Sequence, residues 1–469
     1  MMVSFITLIY STALIFCLWY TVKKSLASIS LKKSLITWGL FGFISTCIIL
    51  GTYYAALPLP GISPFVGGTI VTLVLFILSV CIGLPYLLVG CVTWYFRKNV
   101  VFNFVTLVSA FTLVEILRPY LFTIITWGGG SMFGSNGSSW AIGSILTMTP
   151  LLVFARLGGA VALGTVLIYL VGLLVYPLSK TIKLCGLILL VIFYVLLRAS
   201  ISPPTSNTPP IVFGIVQTAF PHVSEQEDVD VVSKERIVST LHPLVMSLAS
   251  SSPQLVVLPE DLRYFDLQTK LERQELLHAF PNTIFADAST HITSSGRKNI
   301  SIVYDTQTHQ EFTRNKGFMF PFGEYIPYAI KPVIEFFIGE EILHDYEAMY
   351  EYTPGENPSA FTTKIGNIGV LICSESTSYS ALESLKRSNP DIIIVQSSLS
   401  WFHGSPYYTM GYLTSLKLLA VMTARPVLAV EYDGPSIMLD ANGKIISFEN
   451  NSFATHLYSL TGTTITKIK

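Results

Sequence analysis

The stretch KIGNIGVLICSE, residues 364–375, decides how the polar half of the chain is interpreted. Its apolar, β-prone run ends abruptly at Cys373, which is typical of a buried strand that delivers a nucleophile to its carboxyl end. Cys373 is the only cysteine after Cys185, so it has no disulfide partner within its own half of the chain. It is either a small buried core residue or a reactive thiol.

Composition marks the chain as a membrane protein. Of its 469 residues, 51% are hydrophobic and 12% are charged, which is about half the charged fraction of an average soluble protein. The apolar excess lies in residues 1–199, whereas the remainder has an ordinary soluble composition. We expect a helical membrane domain over 1–199, a stiff Pro/Ser linker over 200–210 and a soluble domain over 211–469. The zero net charge gives no reason to expect a nucleic-acid partner.

Apolar runs of about 20 residues, the length of a membrane-spanning helix, occur six times in the first part of the chain. They cover residues 3–21, 35–57, 68–95, 101–126, 150–177 and 182–198. The third run is long and contains Pro85, which predicts a kinked or tilted helix.

Basic residues in the short loops predict the orientation. They follow the first, third and fifth spans and are Lys23, Lys24, Lys32, Lys33, Arg97, Lys98, Lys180 and Lys183, whereas loops 58–67 and 127–149 contain none. Because basic loops stay in the cytoplasm, all residues after Arg198 are expected outside. The other five cysteines lie inside apolar spans, so no disulfide framework is expected. An unpaired Cys373 in an oxidising compartment fits a reactive thiol better than a structural residue.

Short apolar runs alternate with helical stretches in the polar half. Strands are predicted at 211–217, 255–258, 283–286, 300–304, 368–373, 391–396, 427–430 and 436–439, and helices at 229–249, 267–279, 379–387 and 412–423. This alternation predicts an α/β domain of the α-β-β-α sandwich type, with central sheets covered by helices.

Three polar residues lie at predicted strand ends or just beyond them, where chemistry collects in α/β folds. Glu260 follows the strand 255–258, Lys316 precedes an aromatic stretch, and Cys373 ends its own strand. A carboxylate can take the thiol proton, the thiolate can attack a carbonyl carbon, and an ammonium group can stabilise the oxyanion. Taken singly, Glu260 also fits a helix cap, and Lys316 fits a loop charge paired with Glu324. The combination favours a catalytic site.

These residues resemble the nitrilase superfamily, which is marked by a Glu-Lys-Cys triad whose members each follow a short strand. The segment KGFMFPFGEYIP, residues 316–327, is similar to the Lys…Pro-Phe-Gly-Glu-Tyr-Val-Pro segment of the apolipoprotein N-acyltransferase family. In the membrane part, EILR at 115–118 with Trp127, and PLL at 150–152 with LGG at 157–159, resemble that family too. The resemblance runs from about residue 100 to the C-terminus.

The resemblance implies a two-step acyl exchange in the bacterial cytoplasmic (inner) membrane, with the catalytic domain on its outer face. Cys373 would take an acyl chain from a phospholipid donor as a thioester. The N-terminal amine of a diacylglyceryl-cysteine lipoprotein would then accept the chain as an amide. Glu260 would act as general base and later as acid, while Lys316 and the backbone N–H of Ser374 would stabilise the oxyanion.

The resemblance also assigns supporting roles, and the chain departs from the family in places. Glu324 would orient Lys316 or share in proton transfer, and Glu375 would anchor the nucleophile turn, although a carboxylate at a helix start fits equally well. Phe318 replaces a histidine, Ser374 replaces a tyrosine, and QSSLSWF at 396–402 lacks both Asn/Asp positions of the family motif. Two alternatives therefore remain: a membrane-anchored nitrilase-type amidase and a catalytically impaired relative.

Several residues are candidates for lipid contact. Glu115 and Arg118 lie one helical turn apart, and they form either a self-contained ion pair or a site in which Arg118 faces a phospholipid headgroup. Trp127, Tyr325 and Trp401 are aromatic candidates at the membrane interface. No metal-ligand spacing or cofactor fingerprint occurs in the sequence, so we expect no metal and no cofactor. We expect a monomer.

Overall fold

The computed structural model of the protein describes residues 2–59, 61–134, 141–200, 210–218, 231–260, 262–293, 296–449, 453–461 and 464–468. The predicted linker covers residues 200–210, of which residues 201–209 lie outside the described residues. Part of the predicted outer loop, residues 135–140, does so as well.

The N-terminal part is helical. Its helices are α1 (Met2–Leu26), α2 (Leu31–Leu50), α3 (Pro64–Gly83), α4 (Tyr86–Tyr95), α5 (Val100–Ile125), α6 (Ala155–Val175) and α7 (Lys180–Ala199). Five stretches are long and apolar enough to cross a membrane, namely Leu31–Ala56, Pro64–Tyr95, Val100–Ile125, Pro150–Val175 and Lys180–Ala199. The first predicted span falls on α1, which packs into the same bundle through Leu14 and Leu18. The described residues therefore contain the six predicted spans only if α1 is counted together with these five.

Breaks in the helices follow the chain's glycines and prolines. The third predicted span is divided at Pro85, because α3 ends at Gly83 and α4 begins at Tyr86, so the predicted kink is confirmed. Helix α6 is interrupted at Gly158 and Gly159, and Gly159 has a φ of 60° that favours glycine.

Glycines also set the distance between helices α2 and α3. A Cβ atom placed on Gly42 would lie 2.4 Å from the backbone oxygen of Gly83. A Cβ atom on Gly83 would lie 2.7 Å from the backbone of Gly42. The two helices therefore cross at backbone contact, as small residues allow in membrane proteins.

The C-terminal part contains two sheets. Its strands are β1 (Ile211–Gln217), β2 (Leu255–Val257), β3 (Ile284–Thr293), β4 (Gly296–Asp305), β5 (Glu311–Asn315), β6 (Ala360–Thr363), β7 (Gly366–Ile372), β8 (Ile392–Ser398), β9 (Val427–Tyr432), β10 (Ser436–Leu439), β11 (Ile445–Glu449), β12 (Ala454–Thr461) and β13 (Thr464–Lys467). One sheet has the order β13-β12-β1-β2-β3-β4-β5 and the other β11-β10-β9-β8-β7-β6. Strands β1, β2 and β3 run parallel, as do β7, β8 and β9.

Helices cover the outer faces of both sheets. Two further helices of this part, α11 (Lys331–Ile338) and α12 (Glu340–Tyr350), belong instead to an apolar cluster with α3 of the helical part. The helices on the sheets are α8 (Val231–Ser247), α9 (Tyr264–Leu267), α10 (Lys270–Ala279), α13 (Tyr379–Arg387) and α14 (Pro406–Thr423). Three of them start at a capping side chain, since Thr269, Ser378 and Ser405 accept hydrogen bonds from the first turns of α10, α13 and α14.

The buried side chains form separate apolar layers. Phe213 and Val257 of one sheet pack against Val370 and Ile394 of the other, and all four are fully buried. Helices α8 and α10 cover the first sheet, and helices α13 and α14 cover the second. The predicted α-β-β-α sandwich is therefore confirmed.

The sandwich contacts the helical part through specific hydrogen bonds. The Tyr325 hydroxyl donates to the Thr126 carbonyl oxygen at 2.8 Å, and the Tyr407 hydroxyl donates to the Ile48 carbonyl oxygen at 2.9 Å. These contacts hold the segment after β5 beside the end of helix α5, and the start of α14 beside the end of helix α2.

The contact between α2 and α3 leads to a prediction with opposite signs at two glycines. Gly42→Ala forces the helices apart and should lower the free energy of unfolding by about 1–3 kcal/mol. Gly68→Ala, where an added Cβ has nothing within 4 Å, should be neutral or should raise stability by up to about 1 kcal/mol. Thermal unfolding of the two variants in detergent measures the difference. Equal effects of both substitutions would contradict the backbone contact.

Candidate active site

Cys373 begins a turn directly after β7, and its backbone is strained. Its φ of 47° lies in the left-handed region, which residues with a side chain rarely adopt. The Ser374 hydroxyl donates to the Phe318 carbonyl oxygen at 2.8 Å, and the Ser376 hydroxyl donates to the Cys373 carbonyl oxygen at 2.9 Å. The turn is therefore fixed on both sides of the sulfur.

Lys316 lies directly after β5 and is 1% exposed. Its Nζ lies 2.8 Å from Glu324 Oε1 and 3.7 Å from Glu260 Oε1. Burial acts to lower the pKa of the Lys316 ammonium, but the charges of Glu324, Cys373 and Glu260 outweigh this effect and raise the pKa well above its usual value. Lys316 therefore stays cationic between its acidic neighbours.

Glu260 lies just beyond β2 and is 3% exposed. The side-chain amide of Asn299, on β4, donates to Glu260 Oε1 at 2.6 Å. This bond fixes the carboxylate next to the lysine, and both side chains line one cavity together with Cys373. The structure thus brings together the three residues predicted for catalysis.

The electrostatic environment of Cys373 favours the neutral thiol. Burial and the charge of Glu260 raise the pKa of the Cys373 thiol well above its usual value, while Lys316 acts to lower it. The resting site therefore pairs the lysine with two carboxylates and keeps the sulfur protonated. A base must remove that proton before the sulfur attacks.

Glu324 and Glu375 serve different parts of this site. Glu324 accepts from Lys316 and, through Oε2, from the Phe320 backbone N–H at 2.6 Å, so it ties the lysine to the aromatic segment. Glu375 is fully buried and accepts from the backbone N–H groups of Gly317 and Ile372 at 2.7 and 2.8 Å. Arg314 forms a buried salt bridge with Glu375. Glu375 therefore connects the lysine-bearing and cysteine-bearing segments.

Sequence reasoning misses three residues of this neighbourhood. Asn299 holds Glu260, and Arg314 neutralises Glu375. Glu431 lies fully buried on β9, where the Tyr412 hydroxyl donates to it. Burial raises the pKa of the Glu431 carboxyl well above its usual value, although the bond from Tyr412 opposes this. An acidic residue inside the apolar run VLAVEY, residues 427–432, is the signal that could have indicated Glu431.

The cavity at Cys373 extends to the membrane helices. It has a volume of about 290 Å³ and a mostly apolar wall. From the sandwich it is lined by Glu260, Lys316, Cys373, Phe320, Phe322, Trp401 and Tyr408, and from the helical part by Tyr53, Ile70, Val71, Val74, Leu75 and Leu78. The ring of Phe320 stacks on that of Tyr53 with centroids 5.5 Å apart. The site is therefore shared between both parts of the chain.

Of the residues predicted to contact lipid, Trp401 lines this cavity. Tyr325, Trp127, Glu115 and Arg118 are not among its described lining residues. Tyr325 is buried against Gly128 and Gly130 and anchors the outer loop, while Trp127 is 44% exposed. Their lipid contact stays a prediction.

Glu115 and Arg118 form a buried ion pair within α5. Arg118 Nη1 lies 3.0 Å from Glu115 Oε1, and Glu115 Oε2 accepts from the Ile142 backbone N–H at 2.9 Å. The Tyr86 hydroxyl also donates to Glu115. This geometry matches the self-contained pair, which neutralises two charges that are costly at membrane depth.

The charges around Cys373 lead to a prediction about thiol reactivity. Glu260→Gln removes a negative charge, so the thiol pKa should fall and alkylation by iodoacetamide at pH 7.5 should accelerate about tenfold, which is about one pKa unit. Lys316→Met removes the stabilising cation and should slow alkylation by a similar factor. Mass spectrometry of Cys373 over time measures both rates. Glu311→Gln on the exposed edge of β5 is the matched control and should leave the rate unchanged. Slower alkylation in Glu260→Gln would contradict this electrostatic account.

Relatives of this chain occur among known proteins, and they cover most of its length. No protein-family model matches it. It is 22% identical over 403 residues to an apolipoprotein N-acyltransferase of Rickettsia typhi, covering 81% of this chain and 75% of that protein. It is also 22% identical over 381 residues to an apolipoprotein N-acyltransferase of Haemophilus ducreyi, covering 76% of this chain and 70% of that protein.

Among solved structures, a carbon-nitrogen hydrolase from Helicobacter pylori G27 aligns with a TM-score of 0.40 and 14% identity, covering 56% of this chain and 90% of that one. The two sequence relatives confirm the resemblance inferred from the motifs: over most of its length, the chain is similar to proteins named apolipoprotein N-acyltransferase.

Proposed function

We propose that this chain is a membrane-embedded N-acyltransferase that moves an acyl chain from a phospholipid, through a Cys373 thioester, to the N-terminal amine of diacylglyceryl-cysteine lipoproteins. The observation that carries the proposal is the cavity that runs from Cys373 to helix α3. An acyl donor in the bilayer needs an apolar route to the nucleophile, whereas hydrolysis of a small amide needs only a small polar pocket. Residues Val74, Leu75 and Leu78 supply such a route.

In the first step, Glu260 would take the thiol proton and the sulfur would attack the ester carbonyl carbon of the phospholipid. Lys316 and the Ser374 backbone N–H would stabilise the oxyanion. Collapse of the tetrahedral intermediate forms the thioester and releases the lysophospholipid, whose alkoxide leaving group takes the proton from Glu260. Burial of Lys316 between Glu260 and Glu324 supports this role, since the cation is held in place before the oxyanion forms.

In the second step, the amine of the lipoprotein would attack the thioester carbonyl carbon. Glu260 would accept an amine proton, the amide bond would form, and the Cys373 thiolate would leave and be reprotonated. The segment 396–402, which lacks the Asn/Asp positions of the family motif, contains one residue with a structural role. Gln396 donates to the Leu258 carbonyl oxygen at 2.8 Å and accepts from the Ser301 hydroxyl at 2.6 Å, so it joins the two sheets. Ser398 and Ser400 line the cavity instead.

The proposed location is the bacterial cytoplasmic membrane, with the sandwich on the outer face. Loop charges support this orientation. The loops with lysine and arginine residues, which follow α1, α4 and α6, lie on one side of the membrane. The sandwich follows the end of α7 on the opposite side.

The chemistry is tested by intact-mass spectrometry after incubation with phospholipid vesicles. We expect an acyl-sized mass increase on the wild-type protein that is absent in Cys373→Ala and disappears when a diacylated lipopeptide is added. Glu260→Gln and Lys316→Met should slow formation of the adduct by a factor of about 100 or more. Release of free fatty acid without lipopeptide acylation would identify a hydrolase. A Cys373 that reacts with thiol reagents but forms no adduct would overturn the lipid donor.

The acyl route is tested by narrowing the cavity. Leu75→Trp fills the wall at α3 and should slow adduct formation from long-chain phospholipid about tenfold, corresponding to roughly 1.4 kcal/mol of barrier. Reaction of Cys373 with the short-chain ester p-nitrophenyl butyrate should be unchanged. Leu73→Trp is the matched control, because Leu73 is 36% exposed on the same helix and does not line the cavity. Equal rates for the two variants would contradict the route along α3.

A further inference from the structure

A second cavity lies where the sandwich meets helices α6 and α7. It has a volume of about 370 Å³ and shares no described lining residue with the cavity at Cys373. Its wall comes from the segment before α6, the last turns of α7, helix α14 and the turn between β10 and β11. Gly443 brings that turn close, because a Cβ atom there would lie 2.9 Å from Leu152 Cδ2.

The charged side chains that line this cavity are mainly basic. Arg156, Arg198, Lys417 and Lys444 supply four positive charges, and Asp440 supplies one negative charge. The Asp440 carboxylate already accepts from the backbone N–H groups of Asn442 and Lys444 at 2.8 and 2.9 Å. The cavity therefore has an excess of positive charge that the described residues do not neutralise.

Arg156 makes this excess costly. Its Nε and Nη2 atoms are buried and have no hydrogen-bond partner among the described residues. Lys417 donates to the Thr147 carbonyl oxygen at 3.2 Å, and burial lowers the pKa of its ammonium group even though Asp440 acts to raise it. Buried cationic donors that lack an anionic partner are unfavourable. An anion bound in this cavity would pair with them.

The position of the cavity identifies the source of that anion. Arg156 lies in the first turn of α6 and Arg198 in the last turn of α7, so both are at the ends of membrane-spanning helices next to the sandwich. Most of α7 is open to the surroundings, with Leu189, Val191 and Val195 each more than half exposed. One wall of the cavity is therefore a helix that faces lipid. Leu152, Val153 and Val421 add apolar surface beside the charges.

We propose that this cavity binds the phosphate group of an anionic phospholipid headgroup, at a site separate from the acyl-transfer site. Arginine forms paired hydrogen bonds with phosphate oxygens, and lysine adds a point charge. Free phosphate has the same binding chemistry, but only a lipid also fills the apolar wall beside α7. The proposal does not depend on the reaction at Cys373.

Native mass spectrometry of the full chain tests the site. The protein is released from nanodiscs of phosphatidylglycerol or of phosphatidylcholine, and lipid retention is compared with that of Arg156→Gln/Lys417→Gln. We expect the wild type to retain phosphatidylglycerol selectively and the double variant to bind it about thirtyfold more weakly, since each of the two basic residues at an anionic surface contributes about 1 kcal/mol. The variant Arg198→Gln/Lys444→Gln removes the other two basic residues of the cavity. Its lipid retention should lie between that of the wild type and that of Arg156→Gln/Lys417→Gln.

Controls separate the proposal from misfolding and from soluble anions. Lys180→Gln/Lys183→Gln, at the opposite end of α7, should retain lipid like the wild type. The Cys373 alkylation rate of each variant checks that the fold is intact. Equal retention by Arg156→Gln/Lys417→Gln and the wild type would overturn the site. Thermal stabilisation by inorganic phosphate equal to that by phosphatidylglycerol would assign the cavity to a soluble anion and overturn the lipid.

Discussion

The buried ammonium group of Lys316 is the constraint on which the site depends. Glu260 and Glu324 can be buried because the cation lies between them, and the cation can be buried because of the two carboxylates. Glu324 also holds the Phe320 backbone, and the Phe320 ring stacks on Tyr53 of the helical part. Charge pairing inside the sandwich thus fixes the aromatic segment that lines the cavity beside the membrane helices.

The architecture follows from sequence patterns where burial is uniform. Strand β1 and helix α13 match their predicted ranges, because β-branched runs and an amphipathic pattern leave no competing structure. Strands β3 and β4 extend well beyond the predicted ranges and pair from Ile284 to Thr293. Polar residues interrupt their apolar pattern: Asn299 reaches the site, whereas Asp287 accepts from the Phe265 backbone N–H at the start of α9. The edge strands β5, β6, β11 and β13 have only four or five residues each, which is too short for a clear pattern.

The candidate site was predictable where a residue lies at or just beyond a strand end, as Glu260, Lys316 and Cys373 do. Sequence spacing cannot show the partners that hold these residues, since Asn299 and Arg314 reach the site only through the pairing of β4 and β5. Sequence spacing also shows neither the φ of 47° at Cys373 nor the hydrogen bonds that join Glu375 to Gly317 and Ile372. The sequence therefore indicates which residues carry the chemistry, whereas the contacts that hold those residues in place depend on the fold.

The raised pKa of the Cys373 thiol has a consequence for how long the sulfur survives. Oxidants convert a thiolate to sulfenic acid and then to irreversible products, and they attack the protonated thiol far more slowly. Burial and Glu260 keep the Cys373 thiol protonated at neutral pH. On the proposed outer face of the membrane, where no glutathione pool reverses oxidation, this protonation protects an unpaired cysteine. The same charges that would require a base in the proposed reaction therefore protect the sulfur from oxidation.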